Sequence, residues 1–394
     1  MSAVSRPDPD AALPGAPDPW APSEIPAWRD GPPYAMTEMI DAEPALAARV
    51  ADRLVSSPAL QAVADTLREA AHDRLAITTT GCGTSQHAAI AVAALLADAL
   101  ATAGLPDDRL TAVQAFELSR RVPRGGVLLA VSHEGGTAAT NDALRAAATA
   151  GAATVLITVS DRSPGAALAG RVLGTEEQDQ SWCHTVGYLS PLVVGACLHG
   201  ALRETAQEPE AIARQVAAGS DPTLAGSMAA RLASTDRLLV VGSGADYAAA
   251  RELALKVEEG ARLPAVAHEL ETIRHGHLAA ATERTGMVMV LTDAEGRGSA
   301  LLDRAASVLR AAEALGMPAA VIAAAELAGA PERALAGAGW QSVTLEPSLP
   351  RVVAATLASV IPLQLLTERL ARVRGTNPDA IGREDPRQAA AASA

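Results

Sequence analysis

Residues 237–259 read RLLVVGSGADYAAARELALKVEE and contain the pattern that decides the fold. An apolar run of strand formers, residues 237–241, ends in Gly242-Ser243-Gly244 and is followed by helix-forming residues from Ala245 to Arg262. Glycines ahead of this segment and Pro264 behind it are typical start and stop signals of a helix. A buried strand, a small-residue turn and a helix make up the repeating unit of a parallel α/β sheet. The stretch therefore predicts an α/β fold.

The predicted helix carries the only lysine of the chain, since the 32 basic residues are all arginine except Lys256. A lysine can lose its proton when it is desolvated and then act as a base or a nucleophile, which arginine cannot do. Glu259 stands three residues later on the same helical face. One interpretation of this pair is an exposed ion pair of little consequence. The presence of the single lysine favours the other interpretation, a catalytic pair.

A histidine further along the chain belongs to the same prediction. His275 lies in an Arg-His-Gly-His run, which is a poor helix interior because of Gly276. The alternative interpretation is that His275 only caps a loop. Taken with Lys256 and Glu259, we predict that His275 joins them in one catalytic site.

Composition excludes several classes of function. The 394 residues carry a net charge of −13 and only 2% aromatic residues, whereas nucleic-acid binding requires a basic surface and stacking side chains. The three cysteines lack the spacing of a zinc site or of a disulfide framework, which suggests a reducing compartment. Neither a secretory start nor a membrane-spanning apolar run is evident. We expect a cytoplasmic protein without metal, cofactor, nucleic acid or membrane.

The chain divides into a leader, two similar halves and a tail. Proline and acidic residues crowd the leader, which predicts disorder. Strands and helices alternate in each half, so the halves resemble an internal duplication, joined by a polar connection over residues 203–222. The predicted boundaries are 1–35 for the leader, 36–210 and 211–372 for two doubly wound parallel-sheet domains in tandem, and 373–394 for the tail. The predicted strands cover residues 75–80, 110–113, 127–131, 153–159, 237–241, 287–291, 319–323 and 342–345.

Two strand ends in the first half carry small polar residues just before a predicted helix. Ligands bind outside the carboxyl ends of parallel strands, and helix N-termini favour anions. Simple capping of the helices is the alternative. Two such turns in one sheet predict a cradle for a sugar or a phosphate, and His184 is a further candidate for its lining. The candidate binding residues are Cys82, Gly83, Thr84 and Ser85 in the first turn, and Ser132, His133, Glu134 and Thr137 in the second.

Over roughly residues 36–385 these motifs resemble the tandem sugar isomerase (SIS) domains of the isomerase portion of glucosamine-6-phosphate synthase and of related amino-sugar-phosphate deaminases and isomerases. The resemblance implies a flavodoxin-like fold, and it implies sugar-phosphate binding by the turns at Cys82–Ser85 and Ser132–Thr137. It also implies that Glu259 moves a proton between C1 and C2 of an open-chain sugar and that His275 assists ring opening. Lys256 would hold Glu259 ionised or polarise the developing enediol. A homodimer whose pocket is completed across a subunit contact is implied as well.

The chain departs from the synthase in three respects. The synthase opens with the catalytic cysteine of a glutaminase domain, whereas the second residue here is Ser2, so we expect ammonia, if it is used, to come from a separate partner. The tail from Gly375 to Arg387 has no lysine for a Schiff base. Glu134 stands in a turn that is hydroxyl-rich in the synthase, where it would repel a phosphate unless a protonated His133 offset its charge. The sequence leaves both a phosphorylated and an unphosphorylated ligand open.

Three functions therefore compete. The leading hypothesis is an aldose–ketose isomerase or deaminase that acts on an amino-sugar phosphate through an open-chain enediol or enolamine. A deglycase of glycated amines would use the same base and histidine. A non-catalytic sugar-phosphate-binding regulator is the third hypothesis, and it has no need of the proton-transfer residues found here.

Overall fold

Two five-stranded parallel sheets organise the protein. The computed structural model describes Arg29 and residues 31–175, 177–327 and 339–392. The first sheet has the strand order β2-β1-β3-β4-β5 and the second the order β10-β9-β8-β6-β7. The strands are β1 (Ile77–Gly81), β2 (Leu110–Gln114), β3 (Val127–Val131), β4 (Ala153–Thr158), β5 (Arg171–Gly174), β6 (Arg237–Val241), β7 (Ala265–His268), β8 (Thr285–Leu291), β9 (Ala319–Ala324) and β10 (Gly339–Val343).

Numbered within their own halves, both sheets have the order 2-1-3-4-5, which is the doubly wound, flavodoxin-like order. The predicted fold class, two doubly wound parallel sheets in tandem, is confirmed. The central strands β3 and β8 are buried along their whole length, because helices cover both faces of each sheet. The shared order also agrees with an internal duplication.

Helices flank both sheets. They are α1 (Ala35–Val55), α2 (Pro58–His72), α3 (Thr84–Thr102), α4 (Ala115–Ser119), α5 (Ala138–Thr149), α6 (Val186–Leu202), α7 (Pro209–Ala217), α8 (Pro222–Leu232), α9 (Ala245–Ala261), α10 (Ser299–Ala314), α11 (Arg351–Ala358), α12 (Val360–Arg374) and α13 (Pro386–Ala392). Short 3₁₀ turns cover Ala166–Leu168, Thr272–Arg274, His277–Ala280 and Ala325–Leu327.

The two halves share one apolar core. Helix α3 of the first half packs against α9 of the second, and α12 packs against α9 and reaches α1. Side chains from both halves, among them Leu95 and Leu253, belong to the same buried cluster. The helix that carries Lys256 and Glu259 is therefore placed against the first half, beside the turn that precedes α3.

The predicted polar connection over residues 203–222 is wrong in part. It contains α7, whose Ala211, Ile212 and Val216 are buried and which packs against α1. The predicted boundary at residue 210 falls inside this helix. Strands β5 and β7 were also missed, because each has only four residues and a mixed composition, which gives too short a pattern to recognise.

Two helical segments have the length and hydropathy of a membrane span, Thr84–Thr102 and Arg351–Arg374. Helices in the core of a protein can have the same length and hydropathy, and most of the second segment is buried inside the protein. Both pack around the shared core of the two halves.

Most of the predicted disordered leader, residues 1–28 and residue 30, lies outside the described residues. Its end is packed against the body: Arg29 pairs with Glu38 at 2.7 Å, and Tyr34 is buried. The C-terminal tail holds this entry point, since the Asp379 carboxylate accepts hydrogen bonds from the backbone N–H groups of Ala35 at 2.8 Å and Met36 at 2.9 Å. The first turn of α1 is thus capped by a residue from the other end of the chain.

We expect Asp379→Ala to lower the free energy of unfolding by about 1–2 kcal/mol, the usual cost of losing a helix cap. The measurement is the urea unfolding midpoint followed by circular dichroism. Glu384→Ala is the matched control on the same tail, because Glu384 is half exposed and reaches Arg262 only at 3.8 Å. Equal midpoints for Asp379→Ala and the control would contradict the capping role.

Candidate active site

The two predicted turns lie side by side in the structure. Strands β1 and β3 are hydrogen-bonded neighbours, so the turns that follow them meet at the point where the strand order reverses. Gly83 has φ +56°, which favours glycine, and it leads directly into α3. The hydroxyls of Ser85, Ser132 and Thr137 make no hydrogen bond to the described part of the chain, and Thr137 begins α5 without capping it. Free hydroxyls and helix N-termini therefore line one crevice.

The buried Lys256 and the partly exposed Glu259, whose side chain is 23% exposed, form an ion pair beside this crevice. The Lys256 Nζ lies 2.5 Å from the Glu259 Oε2 and 3.7 Å from the Glu252 Oε1, and the Lys256 side chain is only 1% exposed. Burial opposes the charge of Lys256, but Glu259 and Glu252 outweigh it and raise the lysine pKa. Burial also raises the pKa of Glu259, although Lys256 partly offsets it. The interpretation as an exposed ion pair is thereby excluded, and Lys256 is a fixed cation that holds a carboxylate of raised basicity.

Glu252 ties this pair to the first half. Its carboxylate is fully buried and accepts a hydrogen bond from the Thr84 hydroxyl at 3.1 Å, while its second oxygen lies 2.8 Å from the His87 Nδ1. Sequence analysis missed Glu252 and His87. Helical spacing could have identified both residues. Glu252 precedes Lys256 by four residues on one helical face, and His87 follows Thr84 by three residues on one face of another helix.

His133 and His184 lie together behind the second turn, with ring centroids 5.2 Å apart. Asp179 fixes the segment that carries His184 by accepting backbone N–H bonds from Thr185 at 2.6 Å and Gly187 at 3.1 Å. The His133 Nε2 in turn accepts the backbone N–H of Asp179 at 2.9 Å. Burial lowers the pKa of both histidines to about 3, so both are neutral at neutral pH. A protonated His133 that offsets the charge of Glu134 is therefore excluded.

Glu134 is half-buried in the second turn. Burial raises its pKa, and the neighbouring carboxylate of Asp179 raises it further, while Gln178 and the charge of Arg383 act in the opposite direction. The groups that favour its charged form are thus Gln178, by a side-chain hydrogen bond, and more weakly an arginine of the C-terminal tail. Sequence analysis placed Glu134 in the crevice but did not find this neighbour.

The tail reaches the crevice through one ring contact. The Arg383 guanidinium carbon stacks 3.6 Å from the centroid of the Trp182 ring, and the Trp182 backbone N–H donates to the Asp379 carbonyl at 3.2 Å. The next residue, Cys183, directs its thiol to the Lys256 carbonyl at 3.7 Å. Arg383 therefore lies near the helix that carries Lys256 and Glu259, and no periodic pattern in the tail sequence predicts this position.

His275 does not join Lys256 and Glu259 within the chain. Its side chain is 71% exposed, and its Nε2 lies 2.7 Å from the Glu271 carboxylate. The groups that act on the Glu259 carboxylate include Lys256, Glu252 and His87. Of the three residues predicted to come together, Lys256 and Glu259 do so and His275 does not. His275 lies in a surface turn, and sequence spacing does not determine the direction of such a turn.

The equivalent crevice of the second half is filled by the protein itself. Gly244 precedes α9 with φ +60°, as Gly83 precedes α3. The Glu295 carboxylate accepts the Ala245 N–H at 2.7 Å, and a Cβ at Gly244 would stand 2.1 Å from it. A carboxylate of the chain already occupies the position that an anionic ligand would take. The candidate ligand site is therefore that of the first half. Within the described residues, no group of three His, Cys, Asp or Glu side chains is arranged to hold a metal ion.

Comparisons with known proteins agree with this arrangement. The sequence profile of the SIS domain matches residues 231–327. The C-terminal domain of glucosamine-fructose-6-phosphate aminotransferase from Francisella tularensis superposes with a TM-score of 0.74 at 20% identity, covering 90% of this chain and 99% of that chain. The chain has the fold of a tandem SIS protein.

Two further solved structures are similar. Tagatose-6-phosphate ketose/aldose isomerase from Escherichia coli gives a TM-score of 0.71 at 18% identity, covering 89% of this chain and 96% of that chain. Glucosamine-6-phosphate deaminase from Thermotoga maritima gives a TM-score of 0.66 at 17% identity, covering 88% of this chain and 97% of that chain. No curated protein matches the sequence significantly. At these identities the solved structures establish the tandem SIS fold alone.

If the free hydroxyls of the crevice cradle a phosphate, Glu134→Ser will tighten the binding of fructose 6-phosphate and glucosamine 6-phosphate, because a like charge is removed while the donors remain. Isothermal titration calorimetry of both proteins is the measurement. Asp142→Ser is the control, since Asp142 is exposed on α5 and pairs only with Arg145. Unchanged or weaker affinity for both sugars in Glu134→Ser would overturn the phosphate cradle at the Ser132 turn.

Proposed function

We propose that this tandem SIS protein is an aldose–ketose isomerase or deaminase of a sugar phosphate or amino-sugar phosphate, with Glu259 as the base. The observation that carries the proposal is the ion pair of the buried Lys256 with the partly exposed Glu259, beside the crevice of the first half. A carboxylate base works best when its pKa is raised toward the working pH, and burial raises the pKa of Glu259. A protein that only binds sugars has no need of a buried base of this kind.

The chemistry can be followed atom by atom. The Glu259 carboxylate removes the proton from C2 of the open-chain aldose, the electron pair forms the C1–C2 double bond, and the carbonyl oxygen O1 takes up a proton. Glu259 then returns its proton to C1 while the O2–H proton leaves and the C2 carbonyl forms. Lys256 takes no part in bond making; it keeps Glu259 ionised before it removes the C2 proton and again after it has returned that proton to C1. With an amine at C2, the same transfer gives an imine at C2 that water hydrolyses to ammonia.

A second candidate is supported by one observation. Two carboxylates, Glu134 and Asp179, act on each other at the phosphate side of the crevice, which would suit a ligand that bears an amine. This favours the deglycase hypothesis, in which the same base frees an amine from an open-chain sugar. A substrate screen that reads ammonia, released amine and aldose–ketose exchange separately would distinguish the activities. Synthesis of an amino sugar would additionally require a partner that supplies ammonia.

The exposed position of His275 suggests how the site is completed. Its imidazole is 71% exposed and contacts Glu271 of its own chain. In a homodimer it would enter the crevice of the other copy and assist ring opening there, as the family resemblance implies. We therefore propose a homodimer in the cytoplasm in which each active site combines Glu259 of one copy with His275 of the other.

We expect Glu259→Gln and His275→Ala each to lower turnover by at least ~10²-fold, the usual scale for losing a general acid or base. When the two inactive proteins are mixed and allowed to exchange subunits, half of the dimers contain one intact site. Activity should then return to about a quarter of the wild-type value, because a site shared across a two-fold contact is complemented by mixing. Steady-state assays with the best sugar of the screen are the measurement.

Each outcome has a separate meaning. Near-normal turnover of Glu259→Gln would remove Glu259 from the mechanism and overturn the proposed function. Two inactive variants that stay inactive after subunit exchange would show that His275 serves its own chain, which would overturn the shared site. A single 40.0 kDa species in sedimentation at micromolar concentration would overturn the dimer.

A further inference from the structure

The proposed reaction requires stabilisation of a negative charge, and the Lys256–Glu259 pair does not provide it. The inference drawn from this requirement rests on the proposed function. Removal of the C2 proton places negative charge on a sugar oxygen, and an enzyme stabilises such charge with a fixed donor close to that oxygen. Lys256 cannot be this donor. Its side chain is only 1% exposed, and its ammonium is held at 2.5 Å by Glu259 and at 3.7 Å by Glu252. A second cation beside the crevice is therefore required.

Arg383 meets this requirement by its position. Its guanidinium lies on the Trp182 ring at 3.6 Å, which fixes the plane of the group. Cys183, the neighbour of Trp182, reaches the Lys256 carbonyl, and His184 lies 5.2 Å from His133 of the second turn. The segment under Arg383 thus connects the catalytic helix with the crevice.

The donors of Arg383 are unused. Its Nε–H is buried without an acceptor, and the guanidinium makes no hydrogen bond or ion pair to any residue in the described ranges. A buried N–H without a partner is costly and is uncommon in a folded protein unless it has a function. A ligand oxygen in the crevice would satisfy it.

Two carboxylates are near enough to act on the charge of Arg383, Glu134 of the second turn and Glu259 of the catalytic helix. Neither is within ion-pair distance of it, so neither neutralises it directly. Arg383 is therefore near both the proposed base and the ligand-binding turn, and the reacting end of a sugar would lie near the same two elements. Unlike Lys256 it is partly exposed and can reach a ligand.

We propose that Arg383 is a catalytic residue that donates to the enediolate oxygen of the substrate, while Lys256 serves only to hold Glu259. The guanidinium stays charged throughout and offers five donors in a fixed plane, so it stabilises the anion without forming a covalent bond. Glu134 positions the guanidinium from the ligand-binding side. The tail thus completes the active site with a permanent cation.

The test uses the full-length protein and the sugar on which wild type is active. Arg383→Gln should lower kcat by ~10²–10³-fold and leave KM within about threefold, because an interaction made only in the transition state changes kcat alone. Arg383→Lys should recover part of the loss, since it restores the charge without the planar fork. Added guanidinium ion should restore turnover of Arg383→Ala in a concentration-dependent manner, and methylammonium should restore less. Arg387→Gln is the control, because Arg387 lies on the same tail, is 91% exposed and pairs only with Asp385.

The outcomes separate this inference from the function on which it rests. A raised KM with unchanged kcat in Arg383→Gln would make Arg383 a ground-state binding residue and overturn the inference alone. Activity like that of the Arg387→Gln control would also overturn it. A wild-type protein that is inactive on every sugar of the screen would overturn the proposed function, and this inference with it.

Discussion

The structure depends on one buried cation. Lys256 lies between Glu252 and Glu259 almost without contact with water, and a buried ammonium is tolerated only if opposite charges compensate its lost hydration. Glu252 is in turn held by Thr84 and His87 of the other half. The charge that fixes the base thus also joins the two halves, so the active site and the interface between the sheets are stabilised by the same contacts.

This arrangement divides the work between two halves of equal topology. The first half has hydroxyls without protein partners near the N-termini of its helices α3 and α5, among the residues that the structure describes. The second half fills the equivalent crevice with the carboxylate of Glu295 and supplies the charged helix instead. The two halves therefore contribute different parts of the candidate site, the turns of the first half and the charged helix α9 of the second, and α9 brings them together by packing against α3.

Sequence reasoning predicted the elements that have a long apolar pattern and a glycine turn, which are β1–α3 and β6–α9, and through them the fold class and the Lys256–Glu259 pair. It failed where the decisive contact is made by tertiary packing. His133 is neutral because it is buried. His275 is exposed because it lies in a surface turn. Arg383 is placed by its stacking contact with Trp182. None of these leaves a periodic signal.

The central claim is that Lys256 sets the ionisation of the base Glu259, and the pH dependence of kcat/KM tests it most directly. Glu259 must be ionised to remove a proton, so activity falls as the pH drops through its pKa, and Lys256 lowers that pKa against the effect of burial. The account predicts that the acid limb moves to higher pH in Lys256→Gln than in wild type. An acid limb at the same pH in both proteins would contradict it.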